Sequence, residues 1–344
     1  MARKKVSITE IADELRIAPS TVSRALNDLP GVSDELREAI RSKALELGYK
    51  KVKSVAVTNE KLNIIAMIVG DIRNPFYADL VFNVQRHLNK AGYLLCVFNS
   101  EYNEQEEIRY MHLAEGFNFA GIIQITVTTE NVSTLLKNLS IPVVMVNRMI
   151  NSFDTDTVLM DNYEAGYIAT RFLVELGHSR IGFLLGQQNS SSSGMRFEGY
   201  EQAIHNYGLT VNPEDIIQGD LKMETAYELA KTFIESHDEL PTAMIVSNDL
   251  SALGFMTRCE EMGISIPNDM SIVSFDNIRF ASAGVTPLTT VDPQVAEMGR
   301  IAAEVIVERI QHPNREKQRI ILKPTLIVRK SATECREKKK NRNT

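Results

Sequence analysis

Two groups of residues in this sequence have the types and spacing to do chemistry. In the first, polar side chains fall where apolar runs end. Asp71 and Asn74 follow residues 62–69, Asn147 and Arg148 end or follow 142–147, Asn248 and Asp249 follow 243–247, and Asp276 follows 271–275. Arg196 comes just after "GQQNSSSSG", which reads as a flexible loop leading into a helix that this arginine begins. A carboxylate such as Asp276 can accept from two neighbouring hydroxyls, and a guanidinium such as that of Arg196 can donate two parallel bonds. With Phe76 and Tyr77 as an apolar wall, these types suit a polyhydroxyl ligand.

The second group lies in "APSTVSRALND", residues 18–28. At helical spacing Val22, Ala25 and Leu26 face inward, leaving Ser20, Thr21, Ser23, Arg24 and Asn27 outward. Short side chains let a backbone approach a DNA groove closely, and an arginine can bond a base edge or a phosphate. A polar-faced helix in an ordinary bundle would show the same pattern.

Bond-breaking chemistry has little support. The chain has no GxGxxG or P-loop, no GxSxG elbow and no HExxH. Its six histidines, His178 in "LGHSRIG" among them, are scattered and read as structural or surface residues. "DTDTVLMD" lacks the glycine and distal glutamate of a calcium loop. No cofactor or metal is implied. Cys96, Cys259 and Cys335 are odd in number and far apart, as in a reducing compartment, so a cytoplasmic protein is expected. No apolar run reaches the roughly 18 residues of a membrane span, and the first residues lack the apolar core of a secretory signal.

The elements that must position these residues come in two styles. Residues 6–50 read as compact helices: Ile8, Ile11, Ala12 and Leu15 share a face with Thr9 as N-cap, and a later helix starts at Ser33 and stops at Gly48. Two short helices separated by "LRIAP" make a helix-turn-helix, whose second helix can enter the major groove. Residues 1–53 hold 11 Lys/Arg against 8 Asp/Glu, a balance of +3; the whole chain is at -6, so the remainder carries -9. That is the pattern of an anion-binding head on an acidic body. A polar, basic stretch, "KKVKSVAVTNEK", then reads as a linker.

From Leu62 apolar runs alternate with amphipathic helices. The strand candidates are 62–69, 93–98, 121–126, 142–147, 158–160, 180–185, 243–247 and 271–275, with 319–329 closing the body. Such alternation implies α/β architecture with parallel sheets covered on both faces, and its length implies two subdomains. Ligands of doubly wound sheets sit beyond the carboxyl ends of the strands, where the first group of residues falls. Asp161, Asn162 and Asp249 stand at strand-to-helix turns and read as helix caps.

"ITEIADELRIAPSTVSRALN" followed by "VSDELREAIRSKALELGY" closely resembles the head of the lactose-repressor/galactose-repressor family of bacterial transcription regulators. The likeness runs on through "NPFY", "DNYEAG", "LGHSRIGFLLG", "RFEGY", "SND", "SIVSFDN" and "PLTTV", in the family's order. The resemblance implies DNA contacts from Ser20, Thr21, Ser23, Arg24 and Asn27, alongside Thr9 and Pro19. It implies effector contacts from Arg196, Asn248 and Asp276, with Ser192 and Asn147 nearby and Phe76 on the wall. The chain departs from the family in places. Arg16 stands at the turn where the family has Gly, and Ala18 and Pro19 replace the usual Ser and its neighbour. Leu221 stands where sugar-binding relatives have a stacking aromatic. The hinge lacks Pro-Asn, so Val57, or Val55, replaces the family's minor-groove leucine.

The expected organisation is a helix-turn-helix head at 1–50, a hinge at 51–61, a two-lobed periplasmic-binding-protein-like body at 62–330 and a disordered basic tail at 331–344. The lobes are expected at 62–160 with 291–320, and at 161–290 with 321–330. The expected function is sequence-specific regulation, as a homodimer on double-stranded pseudo-palindromic DNA, by a small carbohydrate effector, without a membrane. A regulator controlled by a protein partner, and a solute-binding protein, are the alternatives.

Overall fold

The computed structural model describes residues 7–26, 30–47, 62–126, 129–150, 154–188 and 190–335. Asn27, the hinge with Val55 and Val57, Gly48 and residues 336–344 lie outside these. The chain divides into two units, residues 1–58 and 59–344.

The first unit holds three helices, α1 (Ile8–Leu15), α2 (Pro19–Leu26) and α3 (Asp34–Glu46). Ile11, Ala12, Val22, Ala25, Ile40 and Ala44 form its core, with Ile8, Leu15 and Leu26 packed against them. The N-cap of α1 is Ser7, not Thr9. Ser7 and Glu10 form a reciprocal capping box, which satisfies two backbone N–H groups where Thr9 would satisfy one. Ser33 accepts from Leu36 N at the start of α3. Arg16 ends α1 in the left-handed region, at φ 53°, so this non-glycine residue carries the turn the family gives to Gly.

The second unit alternates strand and helix. In chain order it runs β1 (Leu62–Val69), α4 (Pro75–Lys90), β2 (Leu94–Asn99), α5 (Glu104–Gly116), β3 (Phe119–Gln124), α6 (Glu130–Asn138), β4 (Val143–Val146) and β5 (Asp156–Met160). It continues through α7 (Asn162–Glu175), β6 (Ile181–Leu185), α8 (Ser191–Asn206), β7 (Ile216–Gln218), α9 (Met223–Glu235), β8 (Ala243–Val246) and α10 (Asp249–Glu261). The last elements are β9 (Ser271–Phe275), β10 (Thr289–Asp292), α11 (Val295–Gln311), β11 (Arg319–Leu322) and β12 (Thr325–Ile327).

Two six-stranded sheets result, ordered β11-β5-β4-β3-β1-β2 and β12-β10-β9-β8-β6-β7. All pairings are parallel except β10 with β12. Alternate residues of β1 serve opposite faces: Ile65, Met67 and Val69 join one core, Ala66 and Ile68 another. Each sheet with its helices is one lobe, and the chain crosses between lobes after β5, after β10 and between β11 and β12.

The reading of 319–329 as one strand is corrected here. Residues 319–322 pair with β5 in the first sheet and 325–327 with β10 in the second, so 321–322 belong to the first lobe. Pro324 has no N–H to donate and breaks the ladder between them. β7 and β10 were not among the expected strands: β7 is a three-residue run, and β10, "TTVD", is largely polar. The tail also begins later than 331: Ser331 O accepts from Ile272 N, Cys335 N donates to Leu176 O, and both residues are buried. His178 supports this seam, bridging Thr242 Oγ1 at 2.9 Å and Thr333 O at 3.0 Å. The Asp156 carboxylate of "DTDTVLMD" is spent on Arg309 and Arg315. Among the described residues no helix is long and apolar enough to cross a membrane, and no cluster of His, Cys, Asp and Glu could hold a metal.

Candidate functional site

In the first unit, burying Val22 and Ala25 fixes which face of α2 is outward. Thr9, Pro19, Ser20 and Arg24 are exposed, while Thr21 and Ser23 are half-buried. The Arg37 guanidinium donates to Ala25 O at 3.2 Å and to Val32 O at 3.4 Å, anchoring the C-terminal end of α2 to α3. Ser20, Thr21, Ser23 and Arg24 are thus brought together on one short helix, offering hydroxyls and one guanidinium.

The second unit's polar residues converge between its sheets. In each sheet the order reverses beside the first strand laid down, β1 between β2 and β3, and β6 between β7 and β8. A crevice opens at the carboxyl end of such a switch point. The helices leaving those ends start on polar caps: Asn74 for α4, Asp161 for α7, Ser190 for α8 and Asn248 for α10. Phe76, Asn147, Ser192, Arg196, Asn248 and Asp276 all line the same cavity. At ≈ 30 Å³ it has room for about one water molecule, so a larger ligand requires the lobes or side chains to part.

Arg196 is at the centre. It lies in the second turn of α8, because Ser191–Gly194 are helical and not the expected loop. Its Nε donates to Asn162 Oδ1 at 2.9 Å and its Nη1 to Ser247 O at 2.6 Å. Nη2 is 3.7 Å from Asp276 Oδ1, and the guanidinium lies 4.5 Å from the centre of the Phe275 ring. A Cβ on Gly166 of α7 would sit 1.9 Å from Arg196 O, so only glycine there admits this approach of α7 and α8.

Asp276 is buried and holds a positive φ of 102°, which non-glycine residues seldom adopt and which concentrates at functional sites. Its carboxylate accepts no hydrogen bond within 3.5 Å among the described residues, and the Arg196 guanidinium stands 3.7 Å away. Burial raises its affinity for a proton, while the charges of Arg196 and Arg148 oppose that. Burial also lowers the Arg196 pKa, with Asp276 opposing and Arg148 adding to the fall. For both partners, then, desolvation outweighs what the pair returns.

The caps were partly misassigned. Asn248, not Asp249, caps α10: its Oδ1 accepts from Ser251 N and its Nδ2 donates to Leu221 O, leaving one amide hydrogen and one lone pair for other use. Asp249 instead lies wholly buried, accepting from Ser274 Oγ and Ile278 N. Asp161 does cap α7, but Asn162 links Arg196 to Asn147 Oδ1 at 3.3 Å. Phe76 meets Tyr77 edge-on at 5.2 Å, and the Tyr77 and Tyr102 hydroxyls are 3.0 Å apart. Leu221 lines the cavity at a left-handed φ of 70°.

Arg148 was expected only as a polar residue at a strand end, without a role in effector contact, and Asn162 only as a cap. Arg148 comes from the first lobe, yet its Nη1 donates to Ser192 Oγ of the second at 2.5 Å, as well as to Asn147 O at 2.8 Å. Its place directly after Asn147, at a strand's carboxyl end, was the available signal.

Comparison with known proteins follows the same division. Residues 7–51 match the family model described as bacterial regulatory proteins, lacI family, and residues 170–332 the model of a periplasmic binding protein-like domain. The chain is 31% identical to the HTH-type transcriptional repressor PurR of Haemophilus influenzae (strain PittEE), over 94% of this chain and 98% of that one. It superposes on the transcriptional regulator CelR in its cellobiose complex with a TM-score of 0.74, at 24% identity, covering 95% of this chain and 100% of that one. A LacI family regulator from Enterococcus faecium with bound ribose matches 79% of this chain and 100% of its own, at 25% identity and a TM-score of 0.71.

Proposed function

This chain belongs to the lacI family of bacterial regulatory proteins, DNA-binding transcriptional repressors and not enzymes, and we propose that its hold on DNA is set by a sugar or sugar derivative bound between the two lobes. The observation carrying this reading is the cavity itself, where Asn147, Asn248 and Asp276 from the carboxyl ends of both sheets meet Ser192 and Arg196 of α8 beside Phe76. The under-coordinated Asp276 carboxylate accepts ligand hydroxyls, Arg196 donates to ring or hydroxyl oxygens, and Phe76 covers an apolar face. The ribose held by the Enterococcus faecium regulator supports a carbohydrate.

In the same reading Ser20, Thr21, Ser23 and Arg24 of α2 meet the major groove, Thr9 and Pro19 lie near the phosphates, and Asn27 and Val57 contribute from outside the described residues. One such head spans few base pairs, so two chains act on a pseudo-palindromic operator in the cytoplasm. Effector binds one arrangement of the lobes better than the other and so shifts the population that grips DNA.

Calorimetry of the full chain against a sugar panel, with operator gel shifts in parallel, tests the reading. Asp276→Ala is expected to abolish the ligand response while operator binding persists, because the head is a separate unit. A sugar whose affinity survives both Asp276→Ala and Arg196→Ala would move the site elsewhere. A chain that binds no small molecule but does bind a cytosolic protein would make that protein the effector.

A further inference from the structure

The charged residues lining the cavity are Arg148, Arg196 and Asp276, two guanidiniums against one carboxylate. All three are more than nine-tenths buried. Asp276 is already the neighbour of Arg196, and no carboxylate lies within 4 Å of Arg148 among the described residues. Only Nη1 of Arg148 is hydrogen-bonded; Nε and Nη2 find no partner among the described residues. Arg148 therefore holds donors to spare at a cavity wall, where an oxyanion arriving with a ligand can accept from them.

We propose that the effector carries an anionic group, a phosphate or a carboxylate, on its polyhydroxyl body, and that Arg148 binds this group. The inference rests on the sugar reading above and narrows it. Arg148 supplies the forked pair of donors that oxyanions accept. Ser192, now bonded to Arg148 Nη1 and lying 3.0 Å from Ser190 Oγ, adds a hydroxyl on the opposite lobe. It stands in the first turn of α8, where the helix dipole also favours negative charge. The roles divide by chemistry: Asp276, paired with Arg196, takes hydroxyls, and Arg148 takes the anion. A neutral sugar leaves Arg148 uncompensated, so the cavity discriminates by charge as well as by shape.

Calorimetry on the full chain with ribose and ribose 5-phosphate, and with glucose, glucose 6-phosphate and gluconate, tests this. At least one anionic ligand should bind about tenfold or more tighter than its neutral parent, and the phosphate and carboxylate arms identify which anion is taken. Arg148→Met should cut the affinity for that anion by about 10–100-fold, whereas Arg148→Lys, which keeps the charge, should cut it less. Should the Met variant fail to fold, the Lys variant and the neutral-to-anionic ratio of the wild type still decide. A neutral sugar bound as tightly as its phosphate, or an anion indifferent to Arg148→Met, overturns this inference and leaves the sugar reading standing. If neither neutral nor anionic sugars bind, the sugar reading itself falls.

Discussion

Asp79 of α4 and Arg279, two hundred residues apart in sequence, meet in an ion pair of 2.6 Å that joins the first lobe to the second. With the Arg148–Ser192 bond, it holds the lobes in the arrangement that leaves only a water-sized cavity. A sugar enters only if these bridges loosen. The Asp79–Arg279 pair is substantially exposed, so it is worth at most about 1 kcal/mol. Arg279→Ala is therefore expected to raise the effector association rate by up to about fivefold, read by stopped-flow fluorescence. A slower association would mean that the pair guides closure instead of resisting opening.

Arg24→Ala should weaken operator binding by about 1–3 kcal/mol, because a bidentate or charge-assisted contact is lost. Ser20→Ala should change the selected operator consensus more than the affinity, since Ser20 stands at the exposed start of α2. Removing residues 1–61 should abolish DNA binding and spare effector binding. If both substitutions leave consensus and affinity untouched, another face of the head reads the DNA.

Asn162 does not line the cavity, yet it accepts from Arg196 Nε and donates to Asn147 Oδ1. Asn162→Ala removes a charge-assisted bond from a buried guanidinium. Effector affinity should fall by about tenfold through a displaced Arg196, with the melting temperature lowered by a few degrees. Unchanged calorimetric affinity would show that Ser247 O and Asp276 suffice to orient the arginine.

These partners explain what the sequence could and could not tell. Most strands of both sheets were legible because runs such as "LNIIAMIV" are apolar and β-branched, and the polar residues after them had to lie at carboxyl ends. Residues whose role depends on a distant partner were not: Arg148 finds Ser192 44 residues away, and Asn162 finds Arg196 34 residues away. The serine run before Arg196 read as a loop because serine is a poor helix-interior residue. It is instead a first turn, capped by Ser190, where serine is favoured. Asn248 and Asp249 are adjacent and both good caps, so only the position of α10 decides between them. Arg16 holds a glycine's conformation because the burial of Ile11 and Val22 on either side of the turn fixes the path between them.

Gly166→Ala should destabilise the body by at least about 1–3 kcal/mol, since the added carbon would overlap Arg196 O and force α7 from α8. A melting temperature within about one degree of wild type would show that the helices separate at little cost. Gly166 and Arg196 are coupled through backbone, so the variant should also lose effector affinity in calorimetry.

Asp249 supplies a pH signature for the second lobe. It is fully buried, and burial raises its pKa from 3.8 to about 7, with the charge of Asp276 adding to the rise and bonds from Ser274, Thr290 and Ile278 opposing it. Between these values the folded chain holds a proton that the unfolded chain releases. The stability this group contributes is complete below pH 3.8, declines as pH rises toward about 7, and is gone above that. Asp249→Asn keeps the shape, accepts from Ile278 N and donates to Ser274 Oγ, but has nothing to titrate. Relative to wild type the variant should gain about 2 kcal/mol between roughly pH 5 and 8, or about 4–8 °C in melting temperature. Thermal melts of both proteins across that range give the comparison. Two parallel curves would mean that Asp249 stays ionised in its buried site, stabilised by its three donors.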